Sequence, residues 1–237
     1  MRLLLCLLLL CWAAPAYSAT DPVQVVRDAR QILNEMLAVQ DGCAPAVLIG
    51  QSEALAIFPA VVKAGLIVGG RYGQGVLLLR GQGPEWKDPL LLELVGGSLG
   101  AQAGAASVDL ILVFGSGDLA TRMLDGKIAL NADVGMTAGP LGDNFRQLDA
   151  EALRDRIFVY TRTKGVFAGV SIEGASLSVD PESNSAYYGV VGISTGEILA
   201  GDLAERPLAG QRLQKELSDY LKRKGACPMP QGSPGPK

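Results

Sequence analysis

The chain contains no histidine. That absence removes Ser-His-Asp and Cys-His catalysis, histidine-based metal sites and the usual proton carrier near neutral pH. Two stretches match the spacing Gly-x-Ser-x-Gly: residues 96–100 around Ser98 and residues 192–196 around Ser194. A nucleophile elbow needs a strand-to-helix turn and a histidine base. The base is missing, the residues after Ser98 read as strand, and no Ser-x-x-Lys spacing occurs. Gly69, Gly70, Gly73 and Gly75 cluster without the Lys-Ser/Thr that ends a phosphate loop, and continue as strand. Glu93 and Asp109 stand inside otherwise apolar runs. They read as a catalytic pair, as one polar face of a sheet, or as partners of arginines. The chain is read as a non-enzyme that needs no cofactor and no metal.

These residues also admit contact with a surface. Lipid contact needs cations near phosphates and apolar anchors at headgroup depth. Lys63, Arg71, Arg80, Trp86 and Lys87 fall together around the glycine-rich stretch and form the candidate lipid-binding set. The indole of Trp86 either reaches the headgroups or belongs to the core, and the basic residues either meet phosphate or form a solvated face. Net charge is −3 and becomes −4 once a leader carrying Arg2 and no acid is removed. Nucleic acid demands a basic face and is excluded as a partner.

Residues 1–19 read as a cleavable secretory signal peptide. Arg2 opens it, residues 3–14 are apolar, and Ala14, Ala16, Ser18 and Ala19 supply small residues near the cut. The apolar run is shorter than the roughly 20 residues a bilayer span takes. Leucines rather than small residues precede Cys11, unlike a lipid-attachment site. The expected location is the periplasm or outside the cell. Cys6 and Cys11 leave with the leader, while Cys43 and Cys227 remain. In an oxidising compartment two cysteines allow one intramolecular disulfide, Cys43–Cys227, the alternatives being free thiols or pairing between chains.

The elements that must position these residues follow. Residues 20–224 form one domain, and the Pro- and Gly-rich residues 225–237 a tail. Asp21 and Pro22 open a helix whose apolar face is Val26, Ala29, Leu33, Met36 and Leu37, with Gly42 closing it. A second helix is expected over 52–58, stopped by Pro59. From 61 to 179 the period is that of strands. Residues 76–79 and 110–113 read as strands buried on both faces, and 128–136 alternate as a half-buried strand. Residues 163–166 make a tight hairpin, and 116–126 a helix. The stretch 90–114 is core rather than a membrane span, because Glu93, Gln102 and Asp109 interrupt it. Pro207 opens a final helix with Leu213, Leu217, Tyr220 and Leu221 on its apolar face. Glycines and alanines on both parities of the strands call for strong curvature. The expected fold is α+β: a strongly curved, mostly antiparallel Gly-rich sheet or partial barrel flanked by N- and C-terminal helices.

Several blocks resemble the SYLF domain. They are Ile57-Phe58-Pro59, Lys63-Ala64-Gly65, Val68-Gly69-Gly70 and Tyr72-Gly73-Gln74-Gly75, then Trp86 with Pro89, and Gly97-Ser98-Leu99-Gly100-Ala101-Gln102-Ala103-Gly104. Gly139-Pro140-Leu141-Gly142, Tyr160, Lys164-Gly165-Val166-Phe167-Ala168-Gly169-Val170-Ser171, Glu173-Gly174 and the stretch from Asn184 to Gly189 continue the match in order. The resemblance implies a lipid-binding module. Eukaryotic members bind phosphoinositide membranes and act near actin, usually with an added partner domain. This chain is similar to the stand-alone exported bacterial form. The resemblance brings no catalytic residues. The expected partner is an anionic phospholipid or membrane surface, with an envelope protein as the alternative.

Overall fold

The computed structural model describes residues 20–38, 43–65, 68–81, 83, 85–99, 104–124, 128–129, 135–139, 156–163, 166–169 and 174–224. The leader, Gly42, Cys227 and the 225–237 tail lie outside them, and with Cys227 so does the Cys43–Cys227 pairing.

Helix α1 (Pro22–Ala38) buries seven side chains, all five expected ones among them. Each large apolar side chain contributes about 1.5–3 kcal/mol, so packing rather than propensity holds this helix. The Asp21 carboxylate accepts from Val23 N–H at 3.0 Å, as a cap should. Helix α2 (Cys43–Gln51) comes next. The helix expected over 52–58 is instead the start of strand β1 (Ala54–Gly65). Ala54, Leu55, Ala56, Ile57 and Phe58 are all fully buried. A short apolar run buried on every side has no period that separates helix from strand, and the partners on both edges decide for strand.

Those partners are β2 (Val68–Leu79) and β4 (Gly104–Phe114), each antiparallel to β1. Pro59 does not end the element. It sits with Ala60 in a bulge where β1 gains a residue on both neighbours, the place a strand tolerates proline. Ala60 has φ 52°, the left-handed region, and its N–H donates to Asp109 Oδ1 at 2.9 Å.

Strand β3 (Leu90–Leu99) pairs with β2. After helix α3 (Gly117–Leu124) come β5 (Ile128–Ala129), β6 (Gly135–Ala138), β7 (Arg156–Thr163), β8 (Val166–Gly169) and β9 (Ala175–Val179). Helices α4 (Pro181–Tyr188), α5 (Thr195–Ala200) and α6 (Leu208–Lys224) complete the order. One nine-stranded sheet runs β5-β9-β3-β2-β1-β4-β7-β6, with β8 paired to β7 across Thr163 and Val166. The expected fold class holds: a curled half-barrel with helices at both ends. Residues 76–79 and 110–113 are buried as expected. The single strand expected over 128–136 divides, because its two halves take different partners: β5 lies against β9, and β6 runs parallel to β7.

The order of strands explains the curl. β5 and β6 are the two ends of the path, yet Ala129 and Gly135 are six residues apart. Six residues reach at most about 22 Å. Eight flat strands would put the ends about 34 Å apart. Both pairings coexist only on a rolled sheet.

Candidate functional site

The structure divides the five expected contact residues between two places. Lys63 and Arg71 are direct cross-strand partners near the β1–β2 turn. Their row continues through Gly96 on β3 and Ala106 on β4. Directly opposed side chains have Cβ atoms about 5 Å apart, and like charges there repel. No acid pairs with either among the described residues. Lys63 is exposed and Arg71 half-buried. The next row, on the other face, carries Val95, which is 44 % exposed.

Arg80, Trp86 and Lys87 lie at the other end of β2. Arg80 is nine residues from Arg71 along the chain, about 30 Å of strand. Its guanidinium closes helix α2: Nε donates to Ser52 O at 2.7 Å, and Nη2 to Ile49 O at 2.9 Å and Gly50 O at 3.1 Å. These carbonyls are the groups a helix C-terminus leaves unpaired. Burial lowers the Arg80 pKa, and Glu53 opposes that shift. The same guanidinium stacks 4.5 Å from the centroid of the Trp86 ring. Trp86 is 5 % exposed, so its ring packs inside and offers no face to a surface. Its Nε1–H has no acceptor. Lys87 is exposed at the rim.

The two strand carboxylates take separate partners as well. Glu93 accepts from the Ser178 hydroxyl at 2.9 Å. Asp109 takes Arg162 Nε at 2.6 Å, and Arg162 also pairs with Glu35 of α1. Burial raises the Asp109 pKa; the Ala60 N–H acts against the rise and Asp28 adds to it. Of the three readings of these acids, Asp109 is an arginine partner that ties β4, β7 and α1 together. Ser194 caps α5 in a reciprocal box with Glu197, so its hydroxyl is spent on the backbone. Ser98 stands in β3, opposite Gly69.

Three features escape the sequence reading. Asn184, 1 % exposed, clamps strand β3 by accepting from Leu91 N–H at 2.9 Å and donating to Leu91 O at 3.0 Å. Asp88, 4 % exposed, holds Arg206 at 2.6 Å. The loop after α4 displays Val190 and Val191, 49 % and 98 % exposed. It is pinned by Val190 N–H to Ser185 O, Gly192 N–H to Ser185 Oγ and Ile193 N–H to Val190 O. The glycines that flank Val190 and Val191 are a readable turn signal, Gly189 and Gly192 both being at positive φ.

Among the described residues no group of three metal-ligating side chains gathers, and no helix is long and apolar enough to cross a membrane. Fold and surface define an α+β half-barrel domain whose exposed features are a cationic strand pair, a groove between helices and an apolar loop tip. Residues 95–220 match the Ysc84 family, described as Las17-binding protein actin regulator. The SH3 domain-containing YSC84-like protein 1 of Xenopus laevis is 29 % identical over 204 residues, covering 83 % of this chain and 60 % of that protein. Protein YSC84 of Saccharomyces cerevisiae is 31 % identical over 180 residues, 73 % of this chain and 37 % of the yeast protein. LAS seventeen-binding protein 3 of the same yeast is 31 % identical over 155 residues, 63 % of this chain and 33 % of its own length. The chain belongs to the Ysc84, or SYLF, family. It spans less than two thirds of these relatives, one of which is named as a binding protein and none as an enzyme.

Proposed function

We propose that this chain is an exported, non-catalytic SYLF module that docks on an anionic phospholipid surface through the β1–β2 end of its sheet. One observation carries the reading: Lys63 and Arg71 oppose each other across two strands, and no acid among the described residues pairs with either. Two like charges held this way destabilise the sheet until an anion arrives between them. Ala106, the small exposed residue beside Lys63 in the same row, leaves room for a headgroup to approach. Export rests on the leader, and in the envelope the available anions at a surface are phospholipid heads.

Co-sedimentation with vesicles of phosphatidylglycerol in phosphatidylcholine tests it. Binding is expected at low ionic strength and is lost in the K63E/R71E double variant. Undiminished sedimentation of that variant sinks the proposal. Lys87 lies far from this pair and its removal is expected to matter little. A second reading, an envelope scaffold that binds protein, is favoured by the Val190–Val191 tip. Residues 180–205 carry Asp180, Glu182, Glu197, Asp202 and Glu205 and no lysine or arginine, so this corner suits a basic protein partner better than an anionic bilayer. LAS seventeen-binding protein 3 of yeast, named for binding, supports a contact of that kind.

A further inference from the structure

Helices α1 and α6 touch along one end and part at the other. Arg30 Nη1 and Asn34 Nδ2 donate to Glu216 at 2.7 and 2.6 Å, and the Tyr220 hydroxyl donates to Leu37 O at 2.9 Å. Residue numbers rise together along this contact, so both N-termini open on the same end. A groove of about 840 Å³ runs along α1 from Val23 to Ala38 and is closed on its other side by Pro207 and the start of α6, within the roughly 300–1,000 Å³ range of ligand sites. Val23, Ala38, Pro207 and Leu208 line it with apolar surface, and Leu208 is 67 % exposed. Arg27 from α1 and Arg212 from α6 line it too; both are exposed, and neither pairs with an acid among the described residues. Two acids share the lining: Glu35 pairs with Arg162, while Asp28 accepts from the neutral Gln24 amide at 2.6 Å and keeps its charge. The positive ends of two 17-residue helices meet at the same mouth.

With Arg30 paired to Glu216 and Glu35 to Arg162, Arg27 and Arg212 outnumber Asp28, and a net positive charge beside apolar surface selects for an anionic amphiphile. We infer that this groove binds a single-chain anionic amphiphile, a fatty acid or lysophospholipid. Arg27 and Arg212 hold its carboxylate or phosphate, and the acyl chain lies against Val23, Ala38 and Leu208. The site is distinct from the Lys63–Arg71 pair and does not depend on it.

Calorimetric titration of the purified protein with oleoyl lysophosphatidic acid, below its micelle threshold, tests this. One-to-one binding is expected, weaker by about tenfold or more in R27Q/R212Q, which is a loss of about 1.4 kcal/mol or more, and unchanged in K63E/R71E. Both arginines are exposed, so the glutamine pair is expected to fold, and circular dichroism checks it. Oleoyl lysophosphatidylcholine separates the anionic head from the chain, and glycerol 3-phosphate separates the head from the lipid. Equal affinity for either control, or an unaffected R27Q/R212Q variant, overturns the assignment. So does amide chemical-shift mapping that places lysophosphatidic acid away from residues 23–31 and 207–212. Failure of the vesicle assay with K63E/R71E leaves this site standing, and the reverse also holds.

Discussion

At the scale of single residues, space and hydrogen bonding decide more than residue type. A Cβ on Gly75 would lie 2.4 Å from Phe58 Cδ1 and 2.6 Å from Ile57 O. Gly75→Ala is therefore expected to cost about 1–3 kcal/mol or more in urea unfolding. Gly97→Ala meets nothing within 4 Å and should stay within about 0.5 kcal/mol of the wild type. The two glycines look alike in the sequence, and only the ring of Phe58 tells them apart. Trp86 gives a second contrast. Its N–H is buried without a partner, so Trp86→Phe removes an unmade bond and is expected to cost less than about 1 kcal/mol. Trp86→Ala, which empties the site beneath Arg80, should cost about 3–5 kcal/mol. Vesicle binding by Trp86→Phe should equal that of the wild type. The sequence left Trp86 between membrane anchor and core, because an indole suits both, and its 5 % exposure resolves the choice.

At the scale of elements, ends were harder to read than middles. The apolar face of α1 was legible because a period of 3.6 over 17 residues leaves no alternative. The bulge at Pro59–Ala60 was not, since the acid that holds it, Asp109, lies 49 residues away. Helices α4 and α5 carried clear local signals that a catalytic motif masked. Asp180 caps α4, Pro181 opens it and Gly189 closes it. Ser194 and Glu197 form the capping box of α5. Ser194→Ala is expected to cost about 1 kcal/mol. Hydrogen bonds from the Ser194 hydroxyl, and then from its backbone N–H, hold the Glu197 pKa below the ordinary carboxylate value. A lowered folded pKa means a contribution present above the unfolded value and lost as pH falls through the folded one. In Ser194→Ala the Glu197 titration should move up towards the ordinary range, as read by carboxyl NMR shifts. An unmoved titration would show that the hydroxyl is not the cause.

At the scale of the molecule, charge is spread by place rather than by total. A net charge of −3 argued against nucleic acid but concealed Lys63 beside Arg71, Arg27 and Arg212 on one groove, and an acidic corner over residues 180–205. Each is assembled from positions whose neighbourhood depends on strand register or helix crossing, which composition does not carry. The fold class was legible because small residues on both parities of the strands leave curvature as the only way to close a core. The strand order was not, because β5 and β6 look like one alternating run and serve opposite edges. That division also sets an order of events in folding. While β1, β2, β3 and β4 are still spread out, the short link between Ala129 and Gly135 can satisfy one edge or the other, never both. The four central strands must therefore roll before the two rims can be claimed together. The rims therefore close last, and the half-barrel is sealed by the short link that joins β5 to β6.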